Sequence, residues 1–365
     1  MKTAHGRVRR AVTAIATGRP VVLIDETAAQ GYLVFAADAA TPALLAFTIR
    51  HTSGYVRVAL PEQDCDRLDL PPICGPDGEP FGTAAHRVAV DYRHVGTGIS
   101  ATDRARTIAA LAAADSTAAD FHRPGHVIPV LARQHGVLGV SPAAPEAAVD
   151  LARLGMRSPA GVLCEIVSQR DSGDVADSRE LLCFADRHRL PVVSVTEIAA
   201  YRSRTEPQVA RSSEATLPTA TGGLRVVGFR GVRDGCDHLA VIAGSSGADA
   251  PMPLHIHVEC LSGDVFGSLA CRCGADLAGA VAAMNATGTG MVIYLRPAQV
   301  RACGLLPGEV DDGVSETVAW ILRDLGVYSV RMSDDEPGLG LLMFGAIREH
   351  GLDVVSHPPV WSAVG

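Results

Sequence analysis

Strand-length apolar runs alternate with helix-period segments along nearly all of this chain, and that alternation limits its fold more than any other feature. Residues 5–17 read as a helix ended by Gly18, 21–24 as a strand, 42–49 as a helix and 56–60 as a strand. Helices follow near 101–114 and 145–154, then a strand at 161–166, a helix at 178–189, and a strand at 191–195 running into a short helix to Tyr201. Further on come strands at 224–229, 238–243 and 254–258, a helix over 275–286, a strand at 291–295, a helix near 314–325, a strand at 328–331 and a helix at 339–350. The class is α/β with α+β character. No internal repeat and no low-complexity tract interrupts it.

At 365 residues the chain is long enough for about two domains. Between Arg204 and Gly223 the run RTEPQVARSSEATLPTATGG loses its periodicity and fills with Ser, Thr, Ala and Pro. The division expected is a first domain at 1–203, a linker at 204–223 and a second domain at 224–365. Acidic residues outnumber basic ones by 40 to 32, a net charge of −8, which argues against a nucleic-acid or anionic-membrane binder. No run reaches the roughly 18 apolar residues of a membrane span, and the N-terminal segment lacks a signal-peptide pattern, so a cytoplasmic protein is expected. Nine cysteines, an odd number with one tight cluster, fit free thiols plus a metal site better than a disulfide framework.

That cluster is Cys260, Cys271 and Cys273 in HVECLSGDVFGSLACRCG. Thiolates suit Zn²⁺, and three of them leave a fourth position for water or substrate, the arrangement of a catalytic site. Three thiolates also make the site anionic, so a nearby cation would have to help acidify bound water; Arg272 and Arg301 are the candidates. The plainer alternative is that two of these cysteines only pack beside Phe266 and Leu277.

The segment from His255 to Leu277 resembles the zinc loop of GTP cyclohydrolase II, and VIYLR at 292–296 and ILRDLGVYSVR at 321–331 resemble that family's downstream core. Upstream, RHTSG at 50–54, TGISATDRARTI at 97–108, RPGHVIPV at 123–130 and EAAVDLARLGMRSPAGVLCEIV at 146–167 resemble 3,4-dihydroxy-2-butanone 4-phosphate synthase. The resemblance implies a dihydroxybutanone phosphate synthase-like domain followed by a shortened GTP cyclohydrolase II-like domain, a homodimer, and one Zn²⁺ per chain in the second domain. It also implies two reactions: ribulose 5-phosphate to dihydroxybutanone phosphate and formate on two Mg²⁺ ions, and opening of the imidazole ring of GTP.

Both sites depart from the family's patterns. The acidic loop D-R-E-N-E-G-D is replaced by residues 26–32, ETAAQGY, which puts Ala28 where a metal-binding glutamate stands. The histidine of G-H-T-E-A falls on Ala144. A methyl group offers Mg²⁺ no lone pair, so the first domain is not expected to hold that ion. The anion-side groups persist: Arg50, His51 and Thr52; Thr97, Ser100, Asp103, Arg104 and Thr107; Arg123; and, as catalytic candidates, His126 and Glu165. Arg57 stands where the family often has cysteine and is a cation able to replace part of the lost metal charge. These residues could instead be inherited scaffold that satisfies itself.

In the second domain the guanine-reading glutamate becomes Gln299, the nucleophilic arginine falls on Gly313, and the tyrosine segment is missing. Asp311 can stand for the general base, Arg301 remains a catalytic candidate and Arg296 a substrate-binding one. The lysine of T-N-N-P-x-K is lost where Asp334, Asp335 and Glu336 appear, which disfavours a triphosphate. The expected function is therefore a repurposed enzyme on a small anionic or phosphorylated metabolite, either a zinc-dependent hydrolase opening a C–N bond or a metal-free lyase or isomerase using His126, Glu165 and Arg57. The alternatives are a catalytically silent binding subunit and residual riboflavin-pathway activity.

Overall fold

The computed structural model describes residues 4–73, 86–171, 173–219, 222–244, 250–303, 313–332 and 350–355. The chain divides into two compact units, Met1–Arg202 and Ser203–Gly365.

The first unit contains α1 (Ala4–Ala16), β1 (Val21–Asp25), β2 (Gln30–Ala36), α2 (Pro42–His51), β3 (Arg57–Pro61), α3 (Glu62–Arg67) and β4 (Val90–Tyr92). It continues with α4 (Ala101–Ala112), β5 (Phe121–Ala132), α5 (Ala144–Leu154), β6 (Gly161–Glu165), α6 (Ser178–His188), β7 (Val192–Ser194) and the start of α7 (Val195–Thr205). Among the described residues, seven strands of this unit form one mixed sheet in the order β4-β5-β3-β6-β2-β1-β7. Helices cover both faces, which is why β2 and β3 are nearly continuous runs of buried residues. On one face Tyr32 and Val34 join Val8, Ile15 and Leu151 of α1 and α5. On the other Phe35 joins Leu45 of α2 and Ile108 and Leu111 of α4.

Two carboxylates of α5 are buried and tie the helix down, each through one of its oxygens. Glu146 accepts the Arg133 N–H at 3.0 Å, and Asp150 accepts the Val137 N–H and the Arg202 guanidinium, both at 2.7 Å. The approach is close: a Cβ on Gly136, whose φ is +62°, would lie 2.2 Å from Asp150 Oδ2.

The second unit contains β8 (Val209–Thr219), β9 (Gly222–Gly231), β10 (Asp237–Ala243), β11 (Met252–Val258), α8 (Cys273–Thr287), β12 (Gly290–Leu295), α9 (Gly313–Asp324), β13 (Ser329–Met332) and β14 (Asp353–Val355). The sheet order is β14-β13-β11-β12-β10-β9-β8. Val318, Ile321 and Leu322 of α9 pack on one face against Ile256 and Ile293, and Met284 of α8 packs on the other against Val292.

The segment 204–223, expected as a linker, is largely strand. β8 pairs with β9 in antiparallel register from Val209↔Gly231 to Thr219↔Gly222. It is an edge strand exposed along nearly its whole length, so backbone hydrogen bonds form it and no apolar alternation marks it in the sequence. The helix expected at 339–350 falls on residues 339–349, outside the described residues.

Candidate functional site

In the first unit, β1 ends at Asp25 and the turn into β2 folds over its carboxylate. Asp25 is 3% exposed. Its Oδ1 accepts the N–H of Thr27 at 3.1 Å and of Ala28 at 3.0 Å, and its Oδ2 accepts the N–H of Ala144 at 2.9 Å. One buried carboxylate therefore holds together the two positions that the resemblance assigns to metal ligands, and both carry methyl side chains.

Beside it, Arg57 of β3 is 7% exposed and ion-paired with Glu165 of β6. Its guanidinium carbon lies 5.4 Å from the Tyr32 ring centroid and 5.8 Å from that of Tyr55. Ser53 donates to Glu165 Oε2 at 3.3 Å. Arg104 of α4 donates to the Gly54 carbonyl at 3.1 Å, and burial lowers its pKa. The Nε atoms of Arg57 and Arg104 are buried with no hydrogen-bond partner among the described residues. Two guanidiniums thus flank the 53–55 turn. The Arg104 charge also interacts with Asp91, which grips His126 through its backbone N–H at 3.1 Å and its Nδ1 at 2.7 Å.

Other expected residues serve the scaffold. Ser100 caps α4 by accepting the Asp103 N–H at 3.0 Å. Asp103 accepts the Gly96 N–H at 3.4 Å, and Thr107, fully buried, accepts the Tyr92 N–H at 3.0 Å. Thr52 lies 3.0 Å from Cys164 Sγ and 2.7 Å from the Thr48 carbonyl. Arg123 directs its two terminal guanidinium nitrogens to the carbonyls of Leu68, Asp69, Ala118 and Phe121, which ties the loop after α3 to the start of β5. His51 is not with the others: its ring sits 4.6 Å from Phe47 and 4.8 Å from His188. Burial, then the neighbouring His188, Arg50 and Arg187, lower its pKa. Arg50 and Thr97 are exposed.

In the second unit, β11 and β12 are adjacent and parallel, so their carboxyl ends emerge side by side. Cys260 follows β11, a π-turn (Leu261–Val265) leads on to Cys271, Cys273 opens α8, and Cys303 lies in the loop after β12. The Sγ atoms of Cys260, Cys271, Cys273 and Cys303 all lie within 4.8 Å of one another. Gly263 permits this closeness, since a Cβ there would lie 2.9 Å from Cys271 Sγ. Burial works against a thiolate at Cys260, yet its contact with the Ser262 hydroxyl and hydrogen bonds from the Cys303 and Gly263 N–H groups bring it down to about 6. Burial and the neighbouring thiols push Cys273 up.

Asp264 organises the turn. Its Oδ2 accepts the Cys260 N–H at 2.9 Å, meets His257 Nε2 at 2.9 Å and accepts the Tyr294 hydroxyl at 3.0 Å. Arg301 donates to the Val258 carbonyl at 3.1 Å, close to the cysteines, whereas Arg296 pairs with Glu259 at 3.3 Å. Asp311 lies outside the described residues.

Sequence reasoning missed Cys303, Asp264 and Asp25. Cys303 was visible only as one cysteine of an odd set, in a stretch aligned to a guanine-binding loop. Asp25 acts through backbone N–H groups, which leave no side-chain pattern, and Asp264 joins Cys260, His257 and Tyr294 only once β11 and β12 are side by side.

The chain thus has two mixed α/β units, the second with a cysteine cluster at the ends of its parallel strands. Residues 9–201 match the family model of 3,4-dihydroxy-2-butanone 4-phosphate synthase, and residues 210–310 match that of GTP cyclohydrolase II. The chain is 41% identical to the riboflavin biosynthesis protein RibBA of Nocardia farcinica, over 98% of its own length and 91% of the relative's. It is 42% identical to RibBA of Salinispora tropica, over 98% and 95%. The crystal structure of RibBX from A. baumannii, a two-domain 3,4-dihydroxy-2-butanone 4-phosphate synthase, matches with a TM-score of 0.71 at 26% identity, over 96% of this chain and 99% of that one. A 3,4-dihydroxy-2-butanone 4-phosphate synthase solved with two magnesium ions matches at 0.50 and 33% identity, over 55% and 97%. The chain belongs to the RibBA-like family of riboflavin biosynthesis, in which these two domains are joined. Among the described residues no helix is long and apolar enough to cross a membrane.

Proposed function

We propose that the first unit binds a small phosphorylated metabolite without Mg²⁺ and acts on it as a lyase or isomerase. The observation that carries this is the Asp25 carboxylate joining the N–H groups of Ala28 and Ala144: the would-be metal positions carry methyl groups, and the one carboxylate between them is committed to the backbone. Positive charge comes from Arg57 and Arg104 instead, since guanidinium groups suit phosphate or carboxylate oxygens. Asp91 fixes Nδ1 of His126, which leaves Nε2 as the nitrogen able to give or take a proton. Zinc is assigned to the cysteine cluster of the second unit, whose donor set is all sulfur. A cytoplasmic homodimer is proposed with the family.

A second reading, ordinary riboflavin synthesis, is favoured by identity of 41% over 98% of the chain and by matches to both family models. Calorimetric titration of the full chain with ribulose 5-phosphate, with and without EDTA, separates the two. Binding that survives EDTA and weakens in Arg57→Met supports the proposal. Binding that appears only with Mg²⁺ overturns it in favour of the riboflavin reading, and no binding at all leaves Arg57 and Arg104 as scaffold.

A further inference from the structure

We propose that Cys303 is a fourth thiolate ligand, so that the zinc of the second unit lies in a closed four-sulfur site with no position for water or substrate. This deepens the zinc assignment made above and rests on it. The sequence offers three cysteines in one loop, an open arrangement; the fold brings a fourth from a different connection.

The geometry fits a tetrahedral ion. Zn–S bonds of about 2.3 Å set tetrahedral S···S edges of roughly 3.8 Å. Cys260 and Cys271 are 3.8 Å apart, Cys273 and Cys303 are 3.8 Å apart, and no pair among the four exceeds 4.8 Å. The two pairs come from sulfurs separated by 11 and 30 residues, so local chain geometry does not impose the second.

The loop that carries Cys303 is held against the zinc turn independently of any metal. The Leu261 N–H donates to the Arg301 carbonyl at 2.9 Å, and the Ser262 hydroxyl donates to the Cys303 carbonyl at 3.2 Å. These bonds fix the backbone on both sides of Cys303 relative to Cys260, which is fully buried. Four thiolates around Zn²⁺ leave a net charge of −2. The N-terminal turn of α8, which begins at Cys273, and the Arg301 side chain supply partial compensation.

A closed site changes what the ion is for. It clamps the 260–273 turn to the connection after β12, as structural zinc does, and offers no Lewis-acid position. Zinc-dependent ring opening in this unit, expected from three cysteines, is then excluded by the fourth.

The test is zinc K-edge X-ray absorption on the full-length chain loaded with Zn²⁺ alone, beside visible spectra of the Co²⁺ form. Four sulfur neighbours in the wild type, falling to three sulfurs and one oxygen or nitrogen in Cys303→Ser with weaker tetrathiolate charge-transfer bands, is the expected result. Three sulfurs and one lighter atom in the wild type would overturn the closed site while leaving the zinc assignment standing. A chain that takes up no zinc overturns both. If Cys303→Ser does not fold, the wild-type sulfur count decides alone.

Discussion

Asp25 and Ala144 are 119 residues apart in sequence, yet the buried carboxylate of the first accepts the backbone N–H of the second at 2.9 Å. With the bonds to Thr27 and Ala28 it closes the β1–β2 turn onto the start of α5. Hydrogen bonds to a charged acceptor contribute roughly 1.5–3 kcal/mol each, and losing one end leaves buried N–H groups unpaired. Asp25→Ala should therefore destabilise the first unit by about 3 kcal/mol, read from the shift in its urea midpoint. Restoring both ligand types, as Ala28→Glu with Ala144→His, should create Mg²⁺ binding by calorimetry that the wild type lacks.

Arg57 and Glu165 form a pair with side chains only 9% and 17% exposed. Removing one partner of such a pair leaves an uncompensated charge, which typically costs 3–5 kcal/mol, whereas removing both costs less. Arg57→Met should lose about 3 kcal/mol, and Arg57→Met with Glu165→Gln should recover a sizeable part of it. The double-mutant coupling, expected at about 1–3 kcal/mol by denaturant unfolding, measures the pair; a coupling near zero contradicts its geometry.

His51 gives a pH prediction with a defined sign. Its folded-state pKa lies below the usual value of about 6.5, because burial, His188 and the flanking arginines disfavour the imidazolium. Its contribution to stability is therefore full above about pH 6.5 and is lost as the pH falls through the folded pKa. An NMR titration should place the His51 ring below 6.5, and His51→Phe should flatten the acid limb of the stability curve. A raised pKa would point to an anion-facing role that the aromatic cluster around Phe47 does not provide.

Asp264 accepts the Cys260 N–H and the Tyr294 hydroxyl, so it orients a ligand without being one. Outer groups of this kind typically alter metal affinity 10–100-fold. Asp264→Asn should weaken Zn²⁺ about tenfold in competition with a chromogenic chelator, while stripping the metal from the wild type should lower the melting temperature of the second unit. Unchanged affinity and unchanged melting would separate the cluster from any metal.

Much of the fold was legible because helices such as α1, α4 and α6 and the buried strands β1, β3 and β12 carry clear apolar periods. β8 was not, since a strand exposed along its length has no face to mark, and its antiparallel partner β9 lies beyond the stretch that reads as a linker. The zinc cysteines were legible as far as one loop could show them. Cys303 depended on β11 and β12 being parallel neighbours, a tertiary fact. Likewise Arg50, His51 and Thr52 are consecutive in a motif, but α2 ends at His51, which turns these side chains to different surroundings.

The claim that the first unit works without Mg²⁺ is tested most directly by formate release from ribulose 5-phosphate in the presence of Mg²⁺. With Ala28 and Ala144 at the metal positions, the wild-type chain should release no formate above background, while the ligand still binds in EDTA. Turnover of ordinary enzyme magnitude, on the order of 1 s⁻¹ or more and abolished by EDTA, would contradict the account.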